Sequence, residues 1–374
     1  MNERFGKAAA YSTTTQVPVK TRRRMLKSLA GCAMAAAVPK SLRAMTQDTR
    51  RVTGMGLVLY NCSIRRKQLL EQNRGVDLFE PLTFLKHCHT LGAGGMQAQL
   101  RSLTLERVGE LRDYAAKHSL YIEAIVSPPD SPDDLDRFDS EIRTAAAAGA
   151  LAARTVVMPG RRYERFQTLA EFVQFEAKAQ RMLELAAPIV ERHRLPLAVE
   201  NHKDQRNNER IALMEHIDSE FVGICVDTGN SFALAEDPLR TIEAFAPWAK
   251  SVHIKDQALL PYDDGFLLGD IPLGQGSFDL PAMVRILREA KPDIRFTLEL
   301  ITRDALKVPC LTKAYKATMP DLPAEDVERT MKYVREHQVS AVQQVSSLSP
   351  VEQLALEDSN IAASLKYAGE QLSL

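Results

Sequence analysis

Net charge is missing from this chain: 48 basic residues offset 48 acidic ones over 374 residues. No global field therefore draws it toward nucleic acid or an anionic membrane surface. Its five cysteines never fall into a Cys-x-x-Cys pair, which excludes a zinc knuckle and a disulfide-dense scaffold. Cys88 and Cys225 lie inside apolar runs and read, with Cys62 and Cys310, as packed thiols. No Gly-x-Gly-x-x-Gly follows the first strand-like run, which argues against dinucleotide binding. What is present is an ordinary globular composition, 45% hydrophobic and 26% charged, with ample apolar surface for one large core.

The N-terminal stretch "TRRRMLKSLAGCAMAAAVPKSLRA" (21–44) sets a basic cluster before an alanine-rich apolar run and then small residues. That is the layout of a signal peptide. Arg22, Arg23 and the residues through Lys27 resemble the twin-arginine export motif, so residues 1–44 are expected to direct the chain to the periplasm or the exterior. The run from Ser28 to Val38 falls short of the roughly 20 apolar residues that a bilayer span needs, so no permanent membrane anchor is expected. "LAGC" (29–32) looks like a lipoprotein cleavage box, but Ser28 alone separates it from Lys27.

From about residue 53, short apolar runs alternate with longer amphipathic stretches. Eight runs read as strands: 55–60, 94–99, 120–126, 153–159, 196–201, 221–227, 250–256 and 295–301. Between them, segments such as "LERVGELRDYAAKHS" and "LPAMVRILREAKPD" carry apolar residues at three- and four-residue spacing, as amphipathic helices do. Strict strand–helix alternation demands a parallel sheet, and eight repeats over residues 53–337 match an α/β fold of the (β/α)8 TIM-barrel type. A doubly wound open sheet is the alternative. Residues 338–374 read as a short C-terminal tail with one amphipathic stretch, suited to packing on the barrel or on another subunit of a homo-oligomer.

Active sites of such barrels gather at the carboxyl ends of the strands, so polar residues closing apolar runs carry the functional signal. The fifth run ends in "AVENHKD" with Glu200, the sixth in "CVDTGN" with Asp227, the seventh in "VHIKD" with His253, and the eighth contains "TLELI" with Glu299. Any one of these is an ordinary cap or rim residue on its own. Three carboxylates and an imidazole converging on half of one barrel mouth, however, repel unless a cation lies among them. Oxygen-rich ligation with one nitrogen and no thiolate suits one divalent ion: Mn²⁺, Mg²⁺, Zn²⁺, Co²⁺ or Fe²⁺.

Glu200, Asp227, His253 and Glu299, together with "ENH" (200–202), "DTGN" (227–230), "HIKD" (253–256) and "GQGSFD" (274–279), resemble the xylose isomerase-like superfamily of sugar isomerases and epimerases. The resemblance implies a divalent-metal-dependent isomerase or epimerase acting on a small carbohydrate through a metal-stabilised enediolate. It further implies that Glu200 and Glu299 serve both as metal ligands and as the catalytic acid–base pair. One departure stands out, because the ketose 3-epimerase branch has a histidine where this chain has Asn230. "YDDGFLLGDIPLGQGSFDLP" (262–281) and "LELITRDALKVPCLT" (298–312) resemble a smaller branch that includes 3-oxo-isoapionate decarboxylase, so a lyase acting on a 3-oxo sugar acid is the alternative. A non-catalytic carbohydrate-binding barrel is a further one. The abasic-site endonucleases of the superfamily use more ligands and a basic face, which this neutral chain lacks.

Around the four ligands, His202 and Asn230 are expected to orient the carboxylates, and in a decarboxylase Lys255 or Arg303 is expected to hold the substrate carboxylate, a structural role being the alternative for both. Lys255 has a structural alternative, pairing with Asp256 or Glu299, and Asp256 completes the candidate set. Gln97 and Glu123, on the second and third strands, read as a pair inside the barrel. "PYDDGFLLGD" (261–270) has the length and glycines of a lid loop.

Overall fold

The computed structural model describes residues 51–374 except Asn73, Arg74, Val76 and Ser102; the expected signal segment and linker, 1–44, lie outside the described residues. Eight parallel strands close into a barrel: β1 Gly56–Val58, β2 Gly95–Ala98, β3 Tyr121–Ile125, β4 Ala153–Thr155, β5 Leu197–Glu200, β6 Val222–Asp227, β7 Ala249–Ile254 and β10 Phe296–Leu298. Each falls within one of the eight apolar runs, or one residue before it, and most are shorter than the run. The end residues of a run often bend into the loop that follows: β1 ends at Val58, and Leu59–Cys62 form a 3-10 turn.

Helices flank the barrel where the spacing predicts them. Leu105–His118 buries Val108, Leu111 and Ala115; Leu280–Ala290 buries Leu280, Met283, Val284 and Leu287. Their starts are set by side chains that satisfy free backbone N–H groups. Thr104 accepts from Arg107 N, and Thr168 with Glu171 forms a reciprocal cap on Leu169–His193. Such caps contribute on the order of 1 kcal/mol each.

One seam of the barrel is closed by Tyr121. Its hydroxyl donates to Phe296 O at 2.7 Å and accepts from Gly56 N at 2.9 Å, tying β3 to β10 and β1. The ring fits only because Gly56 and Gly95 lack a Cβ; one built there would stand 2.4 and 2.5 Å from Tyr121 atoms. Alanine at either position would force the ring to move, at a cost of roughly 1–3 kcal/mol.

Residues 261–270 do not form a loop. β8 (Asp256–Tyr262) and β9 (Gly265–Ile271) make an antiparallel hairpin around Asp263 and Asp264, and β11 (Leu306–Val308) adds a third strand to it. The buried residues of this hairpin need apolar neighbours, and Phe266 finds one in Phe232, packing edge-on at 5.3 Å. The C-terminal stretch also becomes part of the barrel's body. The helix Pro350–Gln371 buries Ile361, Leu365 and Ala368 in the common core, and Glu357 accepts from the free N–H groups of Ile64 and Arg65. Among the described residues no helix is long and apolar enough to cross a membrane, and Cys62, Cys88, Cys225 and Cys310 are free, buried thiols.

Candidate metal centre and active site

Parallel register brings the four strand-end residues together. Asp227 pairs with His253 between β6 and β7, Glu200 ends β5 beside Cys225, and Glu299 follows β10 directly. One ligand atom from each of Glu200, Asp227, His253 and Glu299 lies within 4.8 Å of the others. The first three are 0% exposed and Glu299 is 4% exposed. His253 Nδ1 stands 3.3 Å from Glu200 Oε2, 3.6 Å from Glu299 Oε2 and 4.0 Å from Asp227 Oδ2.

The imidazole is held by a chain of hydrogen bonds from inside the barrel. Glu123 Oε2 accepts from Gln97 Nε2 and Ser251 Oγ, both at 2.8 Å, which aims the Gln97 carbonyl oxygen at His253 Nε2, 2.8 Å away. Nε2 therefore donates to Gln97, and Nδ1 is the nitrogen that faces the carboxylates. The pairing of Gln97 with Glu123 expected inside the barrel is present and positions the histidine.

Glu200 is the most tightly held carboxylate. Oε1 accepts from Asn230 Nδ2 at 2.9 Å, while Oε2 accepts from Arg154 Nε at 2.6 Å and from Arg154 Nη2. Burial alone would raise its pKa, and the Arg154 guanidinium overrides that, holding it well below the usual carboxylate range. Asp227 turns Oδ1 to the backbone amides of Gly229 and Asn230, at 2.9 and 2.8 Å. Its Oδ2 lies 2.8 Å from Lys255 Nζ without hydrogen-bond geometry. Burial pushes this carboxyl up to about 7 against the pull of Lys255. Glu299 Oε2 accepts from Lys255 Nζ at 2.6 Å; burial opposes its ionisation, and Lys255 with His253 keeps it low.

Two buried atoms, His253 Nδ1 and Asp227 Oδ2, face the centre of this cluster with no hydrogen-bond partner. Asp227 Oδ2 keeps only its ion pair with Lys255, and a buried atom left with no partner at all carries a desolvation cost of about 1–3 kcal/mol. Three carboxylates plus one imidazole lone pair is a donor set that a divalent cation satisfies, so the residues fit a metal ion.

The surrounding candidates divide. Asn230 donates from its side chain to Glu200 and from its backbone N–H to Asp227, and Lys255 pairs with Asp227 and Glu299. Asp256 does not reach the site. Period-two alternation sends His253 and Lys255 to one side and Asp256 to the other. There Asp256 accepts from the backbone N–H groups of Gln257, Gly274, Gly276 and Phe278, at 2.9 to 3.2 Å. A Cβ at Gly276 would sit 2.1 Å from Asp256 Oδ1, so the glycines of "GQGSFD" belong to this clasp. His202 hydrogen-bonds neither Glu200 nor Asp227, and its Nδ1 is unpartnered; burial keeps the ring's pKa low. Arg303 stays at the rim, 37% exposed and 3.7 Å from Asp270. Two buried cations were not anticipated. Arg154 comes from β4, and Lys203, three residues past Glu200, donates to Asn230 Oδ1. Burial, and then the nearby charge of Lys255, lowers Lys203 to about 8.

The family model for the xylose isomerase-like TIM barrel matches residues 85–337. A curated relative, 3-oxo-isoapionate decarboxylase of Pectobacterium atrosepticum, is 30% identical over 124 residues; the match covers 33% of this chain and spans less than half, 45%, of that protein's own length. Among solved structures, an L-ribulose 3-epimerase superposes with a TM-score of 0.52 at 13% identity, covering 85% of this chain and 94% of that one. A 3-keto-D-glucoside 4-epimerase from E. coli gives 0.50 at 13% identity, with 72% and 98% covered. At these identities the likeness is one of fold.

Proposed function

Because the chain belongs to the xylose isomerase-like TIM barrel family, we propose that it is a divalent-metal-dependent isomerase or epimerase of a keto sugar, working through an enediolate. The observation that carries this reading is the buried cluster of Glu200, Asp227, His253 and Glu299, with His253 Nδ1 turned inward without a hydrogen-bond partner and Asp227 Oδ2 held only by its ion pair with Lys255. A divalent cation bound there would polarise a carbonyl and its neighbouring hydroxyl, stabilising the enediolate that forms when the adjacent carbon loses a proton. The protein's own groups supply the rest. In the order β5-β6-β7-β10 the two glutamates approach from opposite sides of Asp227 and His253. Glu299, which accepts from Lys255 and lies 3.6 Å from His253 Nδ1, is the freer to take and return a proton, whereas Glu200 is clamped by Arg154 and Asn230.

That asymmetry favours a second reading. Decarboxylation of a 3-oxo sugar acid yields an enediolate without any initial base, and a single proton donor completes it. The 30% match to a decarboxylase supports the same alternative. Incubating metal-loaded protein with ketoses, keto-glycosides and 3-oxo sugar acids in D₂O, with NMR of carbon-bound deuterium and assay of carbon dioxide, tests both. Deuterium beside the carbonyl without carbon dioxide supports the isomerase or epimerase; carbon dioxide supports the lyase. Neither, from a chain with a full metal complement, overturns the enzymatic reading.

A further inference from the structure

Lys203 is 6% exposed and adopts a left-handed backbone, φ 61°. For a residue with a side chain that conformation costs on the order of 1 kcal/mol and persists only where the surroundings enforce it. Here they do: Lys203 O accepts from Arg162 N at 3.0 Å, and Asp204 Oδ1 accepts from the amides of His202 and Gln205 at 3.1 and 2.8 Å. The strained turn buries the ammonium beside the four-residue cluster, where its one hydrogen-bond acceptor among the described residues is Asn230 Oδ1. No carboxylate of a described residue lies within 4.0 Å of it. Among the described residues two of its three N–H donors find no partner, which is costly for a buried cation. Lys255 Nζ approaches the same amide oxygen at 3.4 Å, so two ammonium groups converge on one neutral acceptor.

Among the carboxylates and the lysine and arginine side chains at this level, three of each sign face one another. Glu200, Asp227 and Glu299 face Arg154, Lys203 and Lys255; Arg210 cancels Asp204, and Arg303 lies against Asp270 at the rim. A divalent ion on the three carboxylates leaves two positive charges in excess, or one if Glu123 below is ionised. A neutral ketose, offering a carbonyl and hydroxyls, leaves that excess standing. A carboxylate removes it and supplies the acceptors that Lys203 lacks.

We propose that Lys203 is a substrate-binding residue that takes the carboxylate of a keto-sugar acid and makes the site prefer that acid over its neutral counterpart. The inference rests on the metal-centre reading above and names the substrate class of the same site, whichever way the enediolate then proceeds. The opposing possibility is that Lys203 merely holds the Asn230 amide in place, and the two roles separate by experiment.

Mn²⁺-loaded protein is titrated calorimetrically with 2-keto-D-gluconate and with D-fructose, which differ only in the oxidation of C1. Wild type should bind the acid at least about tenfold more tightly. Lys203→Met should lose that preference, with Mn²⁺ stoichiometry and fructose affinity unchanged, and Lys203→Arg should retain part of it. Equal binding of the two ligands by wild type, or binding of neither, overturns the proposal whether or not the variants fold. So does a Lys203→Met protein that keeps the preference, or one that loses Mn²⁺ and both ligands together. Mn²⁺ binding is measured first: a chain that takes up no ion overturns the metal reading itself, whereas an ion bound without acid preference overturns this inference alone.

Discussion

Gln97 Oε1 and His253 Nε2 are 2.8 Å apart, and this contact decides which imidazole nitrogen faces the three carboxylates. Gln97 is itself aimed by Glu123, so a relay that starts on β3 sets the tautomer of a residue on β7. Groups that orient metal-ligating histidines in this way are typically worth 10- to 100-fold in metal affinity. Gln97→Leu should weaken Mn²⁺ binding by about that factor while leaving the far-UV spectrum intact. Unchanged affinity in a calorimetric titration would show that the tautomer is set elsewhere.

The two glutamates should respond differently to the same substitution. Glu299→Gln keeps an oxygen ligand but removes the freer proton carrier, so turnover should fall by roughly 10²–10⁴-fold with metal largely retained. Glu200→Gln should chiefly weaken metal binding, because it removes the charge that Arg154 faces. Equal loss of turnover at full metal occupancy in both variants would instead make them a symmetric acid–base pair, as an epimerase working on two faces requires.

Burial raises the pKa of all four described cysteines, Cys310 to about 11. Thiolate is therefore scarce at neutral pH and the sulfurs are inaccessible. Cys62, Cys88, Cys225 and Cys310 should remain unmodified by a thiol reagent in the native protein and all react in denaturant. A residue labelled quickly under native conditions, located by mass spectrometry, would contradict that packing.

Export is proposed from Arg22 and Arg23 ahead of the apolar run. Replacing both by lysine keeps the charge but removes the arginine pair that the twin-arginine receptor reads, so precursor should accumulate in the cytoplasm. Fractionation showing normal export of that variant would point to another route.

The barrel was legible because burial on both faces makes parallel strands read as apolar runs, and a strand end is where a polar residue interrupts one. Glu200, Asp227, His253 and Glu299 all stood at such interruptions. Asp256 misled because adjacency in "HIKD" outweighed alternation, which turns it away from its neighbour Lys255. The hairpin was missed although its Asp-Asp-Gly turn lay in view between apolar residues of both strands. Arg154 carried no local signal: it sits mid-strand in "ART", and its partner Glu200 is 46 residues away. Lys203 was hidden for another reason, since a lysine in the turn after a strand reads as exposed and nothing local marks the left-handed, buried position it takes.

The central claim is that four named side chains hold one divalent ion in the folded chain, and a calorimetric Mn²⁺ titration of wild type beside Asp227→Asn and His253→Ala tests it most directly. The account predicts one ion per wild-type chain, a melting temperature that falls on chelation because the ion binds only the folded state, and lost binding in both folded variants. A wild-type protein that takes up no ion, or variants that bind it with wild-type stoichiometry and affinity, would contradict the account.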